Sequence, residues 1–330
     1  ASDVHIEAEE HGIVARFRLD GMLHDAAELS RDLYSKLVSR IKLVSSLKIN
    51  IKKTPQDGLF TIKLSSGDVD VRVSTVPTVY GESIVMRLLH QSREGLTLED
   101  LGFSKRDFAL FKQEIERPNG MIITTGPTGS GKTTSLYAAM QLLNKPDVKI
   151  LTLEDPVEYK MEGINQSQID ESKGFTFAAG LRAMLRQDPD IAMVGEIRDI
   201  ETAEIAIQSA LTGHLILSTI HTNSAAGAIP RFLSMGAKPF LLAPALNTVI
   251  GQRLVRRLNP EAREKATLSP EQEKQVRDLI ADMPDGIREE VEAMPFEFYT
   301  APEYREDGTL GYKGRIGIYE IMAMNKEIEA

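Results

Sequence analysis

A chain of 330 residues with 42% hydrophobic and 26% charged residues has the composition of a globular protein long enough for two ordinary domains. Its lack of cysteine excludes disulfides, iron–sulfur clusters and thiolate zinc sites, and agrees with a reducing compartment. A net charge of −9 repels phosphate backbones, and the one basic stripe, GQRLVRRL with Arg253, Arg256 and Arg257, is short and reads as an ordinary surface or interface. No apolar run approaches the roughly 20 residues that span a bilayer, and the N-terminus ASDVHIEAEE has no signal-peptide pattern, so a soluble intracellular protein is expected. The chain begins without Met and stops inside a helical pattern, MNKEIEA, as an excerpt of a longer protein would.

From the N-terminus, IVARFRLDGMLHDA and FTIKLSSGDVDVRVSTV alternate apolar and polar residues around Asp-Gly and Ser-Gly turns, and RDLYSKLVSRIKLVSSL repeats apolar residues at helical spacing. Residues 1–92 therefore read as a small α+β unit, and the polar, Gly-containing HQSREGLTLED as a linker, placed at 93–102 with the boundary near Arg93. From Met121 to Thr222 the rhythm changes. Apolar runs (MIITTG, VKILTLED, DIAMVGE, HLILSTIH) alternate with helical patterns (TTSLYAAMQLL, FAAGLRAMLRQ, IETAEIAIQSALTG), which predicts a parallel sheet with helices on both faces. Residues 259–313 turn polar and helical, with SPEQEKQVRDLIADM a capped helix, and read as an appended subdomain of the 103–330 domain.

GPTGSGKTT matches the G-x-x-x-x-G-K-[ST] pattern between a predicted strand and a predicted helix, the setting the pattern requires. The candidate phosphate-binding residues are Gly126, Pro127, Thr128, Gly129, Ser130, Gly131, Lys132, Thr133 and Thr134. Glycines let backbone N–H groups close around phosphate oxygens at a helix N-terminus. Lys132 supplies a point charge for the β and γ phosphates, and Thr133 a hydroxyl for Mg²⁺. The alternative is a flexible glycine loop with a solvated lysine. Ligands in open α/β sheets gather beyond the carboxyl ends of the strands, which collects Gly126, Glu154, Glu196 and His221 around one crevice. His214 lies at the other end of its strand, roughly 23 Å from His221 at ~3.3 Å per residue, too far to share a metal. After Gly213, a natural C-cap, His214 reads equally as a helix-capping or relay residue and as a functional one.

With these residues assembled, the chain resembles the secretion traffic ATPases, specifically the assembly-type motors of type II secretion and type IV pilus systems. The likeness runs through SDVHIE, TPQDG, VDVRVSTVPTVYGESIVMRLL, TLEDPVEY, LRAMLRQDPDIAMVGEIRDIETAEIAI, TGHLILSTIHTNSAAGAI and GYKGRIGIYE. It implies an α/β fold: a RecA-like P-loop motor domain preceded by a small PAS-like α/β domain, assembled as a homo-hexamer that hydrolyses ATP with Mg²⁺. By the same resemblance Thr133, Glu154 and Glu196 order the metal and the attacking water, Glu196 with the larger catalytic share. His221, with His214 as second member, senses the γ-phosphate, and Arg72, Arg87, Arg182, Arg186 and Arg198 neutralise transition-state charge.

Two departures stand out. The family usually has arginine after PQDG, but this chain has Leu59, so a charge-neutralising contact is missing or supplied elsewhere. Many relatives carry a tetracysteine zinc subdomain where this chain reads RLNPEAREKA and APEYREDGTLGYKGR, so no zinc is expected and the segment has to be held by packing. The resemblance further implies a protein at the cytoplasmic face of the inner membrane, held there through a platform protein and other secretion or pilus components, and the net charge of −9 leads to no expected direct nucleic-acid contact. A pilus retraction or DNA-uptake motor of the same superfamily, or a slow nucleotide-gated binding module, is the alternative.

Overall fold

Strands β1 (Asp3–Ala8), β2 (Ile13–Leu19) and β3 (Met22–Leu29) are followed by helix α1 (Arg31–Val44) and strands β4 (Gln56–Ile62), β5 (Val69–Thr78) and β6 (Gly81–His90). The computed structural model describes residues 1–65, 67–90, 97–302 and 311–329. Ser66 of the expected Ser-Gly turn, the boundary and first part of the linker at 93–96, and 303–310 of the appended segment lie outside the described residues. These six strands form one antiparallel sheet in the order β3-β2-β1-β6-β5-β4. Asp20 and Gly21 both take positive φ between β2 and β3, as a two-residue hairpin turn matching strand twist demands. Val69, Val71 and Val73 of β5 face the core with Ile6, Ile84, Val38 and Ile41. Period-two alternation then places Arg72 on the other face, directly opposite Arg87 of β6, which is itself opposite Asp3 of β1.

Helix α2 (Lys105–Ile115), capped by Ser104, leads into a second sheet. Its elements are β7 (Gly120–Thr125), α3 (Lys132–Leu143), β8 (Ile150–Glu154), β9 (Asn165–Gln168), α4 (Phe177–Leu185), β10 (Ile191–Val194), α5 (Ile200–Leu211), β11 (Leu215–Ile220), α6 (Ala228–Met235), α7 (Pro239–Ala245) and β12 (Leu246–Leu258). The order is β15-β12-β7-β11-β10-β8-β9, where β15 is Tyr312–Ala323, and the pairs from β12 across to β9 are parallel. Each central strand is buried on both sides. Met121 and Ile123 face a core with Leu181, Ala206 and Phe232, whereas Ile122 faces one with Phe111, Leu136 and Met140. Each such fully buried side chain stabilises the fold by about 1.5–3 kcal/mol, so the helices on both faces hold the strand ends that carry the polar loops.

The chain divides into two compact units, Ala1–Leu254 with Gly317–Ala330, and Val255–Ile316. The second holds the antiparallel pair β13 (Glu264–Ala266) and β14 (Phe298–Thr300) and helices α8 (Pro270–Ala281) and α9 (Asp285–Glu292). Ser269 and Gln272 close a capping box at the start of α8. Neither α8 nor α9 buries a residue. Cation–π contacts join parts of this unit instead: Arg256 over Tyr312 at 3.8 Å, Arg263 over Tyr299 at 4.1 Å and Arg277 over Phe296 at 4.5 Å. The packing expected there is thus largely aromatic and cationic. The last element is α10 (Lys326–Glu329), and no described helix is long and apolar enough to cross a membrane.

Candidate active site

The loop between β7 and α3 is shaped by three glycines at positive φ, Gly126, Gly129 and Gly131. A β-carbon on Gly126 would collide with the Gln252 carbonyl oxygen, whereas none would meet an atom within 4 Å at Gly129. Gly131 caps α3 with no side-chain hydrogen bond, so the first-turn amides are left for an anion at the positive end of the helix dipole. Ser130 Oγ is buried without a partner. Lys132 Nζ donates to the Gly126 and Pro127 carbonyls at 2.9 and 3.2 Å. Burial pushes the Lys132 ammonium down, and the Glu196 charge partly offsets that. An open cradle, uncapped amides, an orphaned hydroxyl and a cation with a third proton to give all fit a nucleotide polyphosphate. Thr133 and Thr134 sit half-buried at the start of α3.

Glu196 lies two residues beyond the end of β10, and its neighbours in the chain fix it. Gly195 N donates to Leu153 O at 2.7 Å on one side and Ile197 N to Thr219 O at 2.9 Å on the other. The Glu196 side chain then accepts from Arg198 Nη2 through Oε1, and its Oε2 stands 3.4 Å from His221 Nε2. His221 is 53% exposed just past the end of β11. Thr125 at the end of β7 ties the next residue in place, accepting from Thr222 N at 2.9 Å. Glu196, Arg198 and His221 therefore meet at the strand ends, near enough to Lys132 for the Glu196 charge to act on it, an arrangement that can hold and polarise a phosphate-bound water.

Glu154 ends β8 as expected, but its carboxylate is 2% exposed and enclosed by donors. Oε2 accepts from Tyr137 Oη, and Oε1 accepts from Thr152 Oγ1 at 2.6 Å and Gln166 Nε2 at 3.2 Å. Burial, with the bond to and the charge of Glu154, pushes the Tyr137 phenol far up. Burial and the same charge push Tyr159 up to about 12. Among the described residues no three His, Asp or Glu side chains form a metal cage. Mg²⁺ bound chiefly through a nucleotide's phosphates would need no such cage, and Thr133 would offer it a hydroxyl.

The remaining expected residues lie apart from this cluster. Arg72 donates to Val157 O and pairs with Glu158 at 3.3 Å, so it touches the loop after β8. Arg87 is bound to Asp3 at 3.1 Å. Arg182 pairs with Glu201 at 2.7 Å, and Arg186 donates to the Arg182 carbonyl. His214 lies before β11, its Nδ1 3.3 Å from Ser209 O and its backbone N–H donating to the same carbonyl at the end of α5. That is the capping geometry. Leu59 stands opposite Arg72 in the β4–β5 register, its side chain exposed.

Reading the sequence missed Gln252, whose Nε2 donates to Ser130 O at 2.7 Å, and Glu320, whose Oε2 accepts from Ala225 N at 2.9 Å. A signal for Gln252 is present in the sequence: a polar residue inside the apolar run LNTVIGQRL, at the start of the basic stripe GQRLVRRL.

The family model for type II/IV secretion system proteins matches residues 1–330. The chain belongs to this family. Among type II/IV secretion relatives it is 47% identical over 330 residues to the type II secretion system protein E of Pectobacterium carotovorum subsp. carotovorum, covering 100% of this chain and 64% of that one. It is 46% identical over 326 residues to the type IV pilus assembly ATPase PilB of Myxococcus xanthus, covering 98% and 56%. The chain thus spans less than two thirds of the length of these relatives. Among solved structures, the Legionella pneumophila ATPase DotB superposes with a TM-score of 0.69 at 21% identity, covering 100% of this chain and 78% of that one. The pilus retraction motor PilT with bound ADP gives 0.64 at 25% identity, covering 100% and 81%. The fold is the RecA-like secretion ATPase fold.

Proposed function

We propose that this chain is the ATP-hydrolysing part of a hexameric motor that drives pilin or pseudopilin assembly in a type II secretion or type IV pilus system. The observation that carries the reading is the Glu196–His221–Arg198 cluster beyond the carboxyl ends of β10 and β11, on the same edge of the parallel sheet as the uncapped glycine loop that follows β7. Uncapped amides of α3 and Lys132 hold the triphosphate, and Thr133 offers its hydroxyl to Mg²⁺. When bound, Mg²⁺ neutralises charge building on the phosphates. Glu196 accepts a proton from the attacking water, and His221, on the same carboxylate, contacts the γ-phosphate. Glu154, enclosed as it is, orders the region from behind. Arg198 lies beside its own site; Arg87, Arg182 and Arg186 are turned to other partners and are offered to a neighbouring subunit. Residues 1–92 and 103–330 then act as two bodies that move about the linker, with the motor docked on a platform protein at the cytoplasmic face of the inner membrane.

The likeness to the type IV pilus assembly ATPase PilB, at 46% identity, favours assembly over the role of the pilus retraction motor PilT, at 25%. Leu59 opposite Arg72 supports the second reading, a slow nucleotide-gated module. Steady-state ATP turnover of the purified protein with Mg²⁺, beside Glu196→Gln, tests both. Loss of at least about 100-fold in the variant supports hydrolysis by this cluster, and equal near-zero rates sink the motor reading.

A further inference from the structure

The two loops of the candidate site hang from neighbouring residues of one strand. Gln252 of β12, buried to 3% exposure, bonds Ser130 O through its side chain, and its own carbonyl occupies the space a β-carbon on Gly126 would need. Leu254 of the same strand comes within 3.6 Å of the corresponding space at Gly131. Arg253, pointing the other way by strand alternation, donates from Nη2 to Asn223 O at 3.1 Å, two residues past His221. Glu320 of β15 accepts from Ala225 N at 2.9 Å and stands 2.9 Å from where Gly251 would carry a β-carbon, so a glycine there makes room for it.

We infer that Gln252, Arg253 and Glu320 are positioning residues that set the separation of the phosphate loop and the His221 loop. Gln252 governs how the loop receives the nucleotide, and Arg253 with Glu320 governs where His221 and Glu196 stand against it. The inference rests on the ATP reading above. Its physical basis is that rigid placement within a fraction of an ångström decides the rate of phosphoryl transfer, while a bond made equally before and during reaction decides affinity alone. Buried Gln252 Oε1 and Ser130 Oγ both lack partners, so this joint also has unused bonding capacity for a second arrangement of the loop.

The test separates the two effects. Titration with a fluorescent ATP analogue and Mg²⁺ gives Kd, and steady-state hydrolysis gives kcat, with thermal unfolding as the check of fold. Gln252→Met is expected to raise Kd about tenfold and leave kcat within about twofold, the effect of one buried hydrogen bond. Arg253→Ala and Glu320→Ala are expected to lower kcat about tenfold with Kd within about twofold. Glu320→Gln, which keeps an acceptor oxygen for Ala225 N, is expected to recover the wild-type kcat. An unchanged Kd in Gln252→Met overturns the inference, as does Glu320→Gln behaving like Glu320→Ala. If the wild-type protein hydrolyses no ATP, the motor reading fails separately. The positioning roles are then decided by the Kd of Gln252→Met and by amide hydrogen exchange at Ala225, which must quicken in Glu320→Ala and not in Glu320→Gln.

Discussion

Glu196 and Glu114 show how two carboxylates of one chain come to opposite ends. Glu196 sits where backbone bonds from Gly195 and Ile197 hold it between β8 and β11, and Arg198 and His221 share its carboxylate. Glu114 of α2 is 2% exposed; among the described residues it pairs with Arg117 alone, and its Oε2 has no partner. Burial pushes the Glu114 carboxyl up, against the lowering by Arg117. A raised folded-state value means that its contribution is complete below the unfolded value of 4.5 and is lost as pH climbs through the folded one. Glu114→Gln, which keeps an acceptor for Arg117 and removes the charge, is therefore expected to gain on wild type as pH rises from 4 to 8, by about 1 kcal/mol at most. Urea unfolding at both pH values checks it, and a gain that shrinks towards pH 8 contradicts the sign. For the histidines, the capping bond of His214 predicts that His214→Ala lowers stability by about 0.5–1 kcal/mol while nucleotide affinity, measured by titration, stays as in wild type.

At the scale of elements, α3, β8 and β9 are stitched at one point, where Tyr137, Glu154 and Gln166 meet. Tyr137→Phe keeps the ring in the core but leaves Glu154 Oε2 without its donor. It is expected to cost about 1–3 kcal/mol in denaturant unfolding, with a smaller relative loss in kcat than Glu196→Gln. A variant as stable as wild type and as inactive as Glu196→Gln would instead give Glu154 a direct chemical role. The helix and strand patterns of α1, α3, α4, α5, β7, β8, β10 and β11 were readable because their apolar residues fall at the spacing, or in the short run, of the element that buries them. Strand β9, Asn165–Gln168, was not, because an edge strand of polar residues has no apolar alternation and exists only through its ladder to β8. Strand β12 was hidden in the same way: its buried Asn247, Thr248 and Gln252 interrupt the apolar run that would have marked it.

At the scale of the molecule, the proposed homo-hexamer can be tested at Arg87, Arg182 and Arg186, each of which is bound within its own chain. If a neighbouring subunit supplies Arg182, Arg182→Ala lowers turnover by about a thousandfold, the scale of an arginine finger, with little change in nucleotide affinity. Wild-type activity per chain then rises with protein concentration as subunits associate. Turnover independent of concentration, or an Arg182→Ala variant of normal rate, would argue for a self-sufficient chain. The sequence by itself determined the layered sheet, the phosphate loop and the acidic strand ends, because burial period and the steric demands of glycine are local properties of the chain. It also separated His214 from His221, since a strand has a known rise. Which groups share the carboxylate of Glu196, that Glu154 is enclosed, and that Gln252 and Glu320 reach the two loops were decided only by tertiary structure. Those contacts join residues as much as 122 positions apart, and no spacing along the chain encodes which loop a side chain will meet once the strands are laid side by side.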